Sequence, residues 1–331
     1  MCGIVGYIGV KPVKQILIDG LRELEYRGYD SAGIAVLQGG QFSLFKAVGK
    51  LVNLEEKAHN FESTGFAVGI GHTRWATHGK PTELNAHPHL GANSYVVHNG
   101  IIENYQELKT MLSNEGVQFL SQTDTEVIVH LFEYLLKEAS TPFEAFEKTL
   151  SMLHGAYAIL LVNGSASDTI FFAKYGSPMI IGRNSEGETL FGSSDAALIG
   201  KCHEVIYLED GHYGYASTQG IKLFDENHHE VHLRFTPLSE NKLSAQKEGY
   251  RFFMEKEIYE QSRVLADTLL GRLKDESIYF EELNNGLFEG INEIKLCACG
   301  TSYHAALVAS YLLERHAKIR TSVEIASEFR Y

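Results

Sequence analysis

From residue 155 to about 235 the sequence is dominated by short strand-type runs, at 156–162, 169–173, 179–181, 189–192, 205–208 and 221–224. Upstream, residues 2–8 are apolar or small and suit a buried strand. Val13, Ile16, Leu17, Leu21 and Leu24 then recur at helical spacing. Further β-type runs lie at 33–37, 42–45, 66–71 and 95–98, and helical patterns at 104–113 and 125–137. Strands that crowd together while helices gather in separate runs predict layered α+β packing, not a regular alternation of strand and helix.

A chain of 331 residues exceeds one ordinary core, so two units are expected. The stretch 239–250 turns polar, with Glu240, Asn241, Lys242, Gln246, Lys247 and Glu248. This divides the chain into a first domain at 1–238, a linker at 239–256 and a second unit at 257–331. In that second unit Ile258, Leu265, Leu269 and Leu273 space out as one helix face, followed by a strand-turn-helix pattern from Ile294 to Ala305. At most two parallel strands fit there, which would leave sheet edges unpaired, so the chain reads as a fragment of a longer protein.

The formal net charge of −13 disfavours phosphate backbones and anionic lipid surfaces, so neither a nucleic acid nor a membrane is expected as partner. Four cysteines (Cys2, Cys202, Cys297, Cys299) are too few and too scattered for a disulfide scaffold. There is no signal-peptide pattern and no apolar stretch of the roughly 18 residues that a membrane helix needs. A cytoplasmic location is the expectation. The histidines at 72, 78, 87, 89 and 98 lack the spacing of a metal motif and read as solvated or loop-packing; no metal or cofactor is expected.

Chemistry concentrates at a few positions. A thiol at its ordinary pKa of about 8.5 needs a base, and removal of Met1 would free the α-amine of Cys2, with a reference pKa of about 7.7–8.0, to act as one. Arg74, in Gly71-His72-Thr73-Arg74-Trp75-Ala76-Thr77-His78-Gly79, offers a fork for a carboxylate, and Trp75, the only tryptophan, a plate to cover a small ligand; the run reads as a loop. Asn99-Gly100 is first of all a hairpin signal, but the residues after it look helical, and the pair also supplies two donors suited to an oxyanion hole. Asp124 stands where a helix begins, as a cap or as the partner of an ammonium group. Glutamine carries a carboxylate, an ammonium and an amide, and Arg74, Asp124 and the Asn99/Gly100 pair complement those three groups.

At this point the chain resembles the class II glutamine amidotransferases, which are N-terminal nucleophile hydrolases, and within them the glucosamine-6-phosphate synthases. The motifs are Cys-Gly-Ile-Val-Gly at 2–6, Glu-Tyr-Arg-Gly-Tyr-Asp-Ser-Ala-Gly at 25–33, the 71–79 run, Asn-Ala-His-Pro-His at 85–89 and His-Asn-Gly-Ile-Ile-Glu-Asn at 98–104. The resemblance implies a four-layer αββα sandwich, with Cys2 as nucleophile, Asn99 and Gly100 as oxyanion hole, and Arg74 and Asp124 on the glutamine head group. It assigns Trp75, Thr77 and His78 to a closing loop. Cys299-Gly300-Thr301-Ser302 is similar to the first phosphate-binding turn of a sugar isomerase (SIS) domain, and the physics agrees, because such a turn presents N–H groups and hydroxyls to an anion. The family implies fructose 6-phosphate as ammonia acceptor, a homodimer and isomerase residues beyond Tyr331; Ser262 stands where the family usually has proline. Two other readings are the glutaminase half of a different class II amidotransferase and a non-catalytic sugar-phosphate-binding regulator. Cys299-Gly-Thr-Ser302 argues against the first, and the retained Cys2, Arg74, Asn99, Gly100 and Asp124 against the second.

Overall fold

The computed structural model describes residues 2–25, 30–74, 81–238, 254–255, 257–259, 261–262, 265, 273–274, 277–278 and 290–329. Two compact units divide the chain, Met1–Lys256 and Glu257–Tyr331. Among the described residues no helix is long and apolar enough to cross a membrane.

In the first unit the strands are β1 (Gly3–Gly9), β2 (Ser31–Gln38), β3 (Gln41–Val48), β4 (Ala67–Arg74), β5 (His89–Leu90), β6 (Ser94–Ile102) and β7 (Gly155–Asn163). They continue as β8 (Ile170–Tyr175), β9 (Ile180–Arg183), β10 (Thr189–Gly192), β11 (Glu204–Tyr207), β12 (Tyr213–Ser217), β13 (Gly220–Phe224) and β14 (Thr236–Pro237). The helices are α1 (Val13–Leu24), α2 (Leu51–Lys57), α3 (Tyr105–Asn114), α4 (Glu126–Leu136) and α5 (Pro142–Met152). One sheet has eight strands in the order β14-β11-β9-β10-β1-β4-β2-β3, and the other six in the order β13-β12-β8-β7-β6-β5.

Strand β1 is buried along its whole length because it sits inside the larger sheet with both faces covered. Alternation sends Val5 and Tyr7 into one apolar cluster with Val13, Leu17 and Leu21 of α1. Ile4 and Ile8 go the other way, into a cluster shared with Val97, Leu160 and Phe172 of the second sheet. On that second sheet Val96, Ile159 and Leu161 face a third cluster with Leu112, Phe132 and Phe146 from α3, α4 and α5. Burying a residue such as Leu17 or Phe172 stabilises by about 1.5–3 kcal/mol, so these three clusters, not local propensity, hold the two sheets face to face.

Several sequence expectations change here. Residues 71–74 are the end of β4, not loop, because Gly3, Ile4 and Val5 of β1 pair with Thr73, His72 and Gly71. Strand β6 likewise runs through Asn99-Gly100 without a hairpin, since β7 pairs with it in register as far as Ile102 opposite Gly155. Helices α2 and α5 lie outside the helical patterns read from sequence.

In the second unit β17 (Glu293–Ala298) pairs in parallel with β18 (Arg320–Ile325), joined by α6 (Gly300–Leu312) and a π turn at Leu313–Ala317. A short pair, β15 (Leu273–Lys274) with β16 (Ser277–Ile278), is antiparallel. Leu273 therefore does not continue a helix face with Ile258 and Leu265, since its backbone bonds across to β16; Leu269 lies outside the described residues.

Candidate active site

Cys2, half-buried, immediately precedes β1, so the pairing of Gly3 with Thr73 brings it beside the end of β4. From the facing sheet, Asn99 Nδ2 donates to Cys2 O at 3.1 Å. His72 Nε2 lies 3.0 Å from Asn99 Oδ1 and 3.1 Å from the carbonyl of His98. Both are acceptors, so His72 carries its proton on Nε2, and the two neighbours of Asn99 leave one orientation for its amide. An amide nitrogen has two hydrogens. One holds the backbone of Cys2, and the second is the kind of donor that an oxyanion needs.

Gly100 follows with φ +135°, a conformation that strains any residue with a side chain, and a Cβ there would meet Ala156 O at 1.9 Å. Glycine is thus required where β6 passes Cys2.

Arg74, the last residue of β4, is 4% exposed. Burial lowers its pKa, while the charges of Cys2, Asp30 and Asp124 act against that and favour the guanidinium. Asp124 Oδ2 accepts from Ile102 N at 2.8 Å, so the carboxylate is tied to the strand next to Asn99 and does not cap α4, whose N-cap is Thr125. Its other oxygen has no hydrogen-bond partner among the described residues.

The histidines are packed, not solvated. His72, His87, His89 and His98 are all buried, and His72 stacks on His87 with ring centroids 4.1 Å apart. His98 Nδ1 and His87 Nε2 share Thr125 Oγ1 at 3.0 and 2.9 Å, and His89 Nε2 lies 3.0 Å from Thr123 Oγ1. Burial drives the pKa of His72 down to about 3, and lowers His98, with His87 and His89 well below the usual range. Neutral rings are the result. Among the described residues no group of His, Cys, Asp and Glu is arranged to hold a metal ion.

Of the residues expected from sequence, the structure gathers Cys2, Arg74, Asn99, Gly100 and Asp124 around the start of β1. Trp75, Thr77 and His78 lie outside the described residues. Thr301 and Ser302 are exposed in the first turn of α6, in the second unit. Sequence reading missed His72, Thr123 and Thr125 as parts of this centre. The two threonines flank Asp124, which was the available signal.

Residues 72–200 match the family of glutamine amidotransferase domains. Along its whole length the chain is 59% identical to the glutamine--fructose-6-phosphate aminotransferase [isomerizing] of Campylobacter jejuni, covering 55% of that protein. It is 49% identical to the protein of the same name from Helicobacter pylori, covering 54%. The chain thus spans about half the length of the curated relatives it matches. Among solved structures, the allosteric regulatory enzyme of purine biosynthesis superposes with a TM-score of 0.58 at 28% identity, over 68% of this chain and 49% of that one. The glutamine phosphoribosylpyrophosphate amidotransferase of B. subtilis gives the same TM-score at 21% identity, over 97% of this chain and 65% of that one, a likeness of fold. Residues 72–200 thus match a glutamine amidotransferase domain, and along its entire length the chain is similar to isomerizing glutamine--fructose-6-phosphate aminotransferases, of which it spans about half.

Proposed function

We propose that this chain hydrolyses the side-chain amide of L-glutamine, and that in the full-length protein the ammonia goes to fructose 6-phosphate to make glucosamine 6-phosphate. The observation that carries this reading is the bond from Asn99 Nδ2 to Cys2 O, which holds an oxyanion donor against the residue that bears the nucleophile.

The chemistry follows from that contact. With Met1 removed, the α-amine of Cys2 takes the thiol proton, and the sulfur attacks the δ-carbonyl carbon of glutamine. Charge moves to the carbonyl oxygen, where the second Asn99 hydrogen and the backbone N–H of Gly100 meet it. The tetrahedral intermediate collapses as the ammonium at Cys2 returns its proton to the departing nitrogen, which leaves as ammonia and a thioester. Water attacks the thioester, glutamate departs and the thiol is restored. Arg74 pairs with the α-carboxylate of the substrate and Asp124 with its α-ammonium, so the δ-amide is the end presented to sulfur. Trp75, Thr77 and His78, outside the described residues, complete the set proposed to bind glutamine.

The same reading takes the first unit as the four-layer αββα sandwich of N-terminal nucleophile hydrolases, with residues 1–238 as the glutaminase domain and 239–256 as linker. It takes 257–331 as the start of a SIS domain in which Thr301 and Ser302 contribute to a sugar-phosphate site. The acceptor half, a homodimeric assembly and a cytoplasmic location without nucleic-acid or membrane partners belong to the full-length protein.

Two substitutions test the site. Asn99→Ala is expected to lower kcat for glutamine hydrolysis by roughly 10²–10³ with KM little altered, the size of one oxyanion donor. An unchanged kcat would remove Asn99 from the mechanism. Arg74→Lys puts a point charge where a planar fork stood, so KM should rise about tenfold, near 1.4 kcal/mol, with kcat largely kept. Steady-state assays across glutamine concentration separate the two effects, and an unaltered KM in the lysine variant speaks against carboxylate binding by Arg74.

A further inference from the structure

We propose that His72 is the residue that orients the oxyanion amide: its Nε2–H holds Asn99 Oδ1 and so keeps Nδ2 turned toward the nucleophile. This rests on the reading of Asn99 as an oxyanion donor.

A terminal amide has two orientations of almost identical shape. If Asn99 flipped, its oxygen would face the carbonyl of Cys2, acceptor against acceptor, and the site would present a lone pair to the developing oxyanion in place of a hydrogen. The bond from His72, 3.0 Å to Oδ1, distinguishes the two, because only an acceptor satisfies it. His72 Nε2 also lies 3.1 Å from His98 O, which ties the ring to the backbone of β6 just before Asn99.

The ring that does this is itself held on all sides. His72 is fully buried on β4 and stacks on His87 at 4.1 Å with 24° between the planes. His87 in turn donates from Nε2 to Thr125 Oγ1, and that hydroxyl donates to His98 Nδ1, leaving His98 Nε2–H to face Ala156 O at 3.5 Å. This assignment gives each hydrogen an acceptor. The backbone of His87 presses on β2 at Gly33, where a Cβ would come within 2.2 Å of His87 O, so only glycine lets the histidine segment sit so close to the sheet. Among the described residues, His72 Nδ1 is buried without a hydrogen-bond partner. A lone pair there is tolerated better than an orphaned N–H, which favours the Nε2–H tautomer. Burial keeps the ring neutral down to about pH 3, so the bond persists throughout the range where the enzyme would work.

His72 touches Asn99 and not the substrate, so it is a positioning residue, and its loss should lower kcat without weakening glutamine binding. In the full chain, His72→Ala is expected to lower kcat roughly tenfold or more with KM within about twofold, since the oxyanion donor is present but no longer fixed. Glutamine places an amide N–H close to where the imidazole Nε2–H stood, whereas asparagine is too short. His72→Gln should therefore recover kcat to within about threefold of the parent, and His72→Asn should not. The double variant His72→Ala/Asn99→Ala should be no slower than Asn99→Ala alone, because one residue acts through the other. Costs that multiply in the double variant, or an unchanged kcat in His72→Ala, overturn the proposal. Should the alanine variant fail to fold, equal kcat in the glutamine and asparagine variants overturns it instead. The parent reading is tested apart from this: Asn99→Ala with full kcat sinks the oxyanion assignment, while a crippled Asn99→Ala beside an unimpaired His72→Ala sinks only the role given to His72.

Discussion

Cys2→Ala is expected to abolish glutamine hydrolysis while the first unit stays folded. The side chain lost is small and half-buried, and the bond that fixes this position runs to the backbone carbonyl of Cys2, which alanine retains. Folding should then be nearly undisturbed, whereas chemistry loses its only attacking atom. What remains is an oxyanion donor and a binding site, which in acyl-transfer enzymes leave a small residual rate over water. A glutamine-analogue electrophile makes the same point without turnover. Intact-mass measurement should find one adduct on the parent chain, on the residue exposed by loss of Met1, and none on the variant. Continued ammonia release by Cys2→Ala at more than a trace of the parent rate would end the nucleophile assignment. A parent chain that is fully active with its Met1 still attached would end the role of the α-amine.

The local patterns that needed only neighbours were legible in the sequence. Alternation and apolar runs marked β1, β2 and the strands from 155 onward, and helical spacing marked α1 because Val13, Leu17, Leu21 and Leu24 all face one cluster. Helix α5 was legible and overlooked. Thr141-Pro142-Phe143-Glu144 is a capping sequence with proline at the first helical position, and Thr141 accepts from Glu144 N at 3.1 Å. Other features were not local. Gly71–Arg74 looks like a loop until β1 is laid beside it, and Asn99-Gly100 looks like a hairpin turn until β7 extends the ladder past it. The histidine array is the clearest case. Its members come from β4, the segment entering β5, and β6, and only the meeting of the two sheets stacks them, so four scattered histidines gave no sign of a shared interior. That Cys2, Arg74, Asn99 and Asp124 lie near one another was legible by residue type, as the complement of one small ligand's polar groups.

That array has a consequence for stability that rivals the loss of the nucleophile in size. Four imidazoles buried neutral must stay unprotonated while the first unit is folded, with His72 held down to about 3 and the others lowered by the same burial. In the unfolded chain each would titrate near its ordinary value of about 6.5. Below that pH the unfolded state binds more protons than the folded one, so the contribution of these residues is complete above about 6.5 and is lost as the pH falls toward 3. One proton corresponds to about 1.4 kcal/mol per pH unit, the steepest slope that His72 alone can give, and His87, His89 and His98 act in the same direction. Glu126, held at about 2 by hydrogen bonds from His130, Leu120 and Ser121, extends the same trend at lower pH. Net charge works in the opposite sense, because acid relieves the repulsion of a chain at −13. At about 0.15 M salt the Debye length is near 8 Å, which screens those surface charges and leaves the buried rings dominant. Urea unfolding followed by circular dichroism should therefore show stability level above about pH 7 and declining below about 6.5. Replacing His89, whose ring contacts His87, by glutamine should make that decline shallower. Stability that stays level between pH 7 and 5, or that rises on acidification, would mean that these rings are already charged or already open to water in the folded protein.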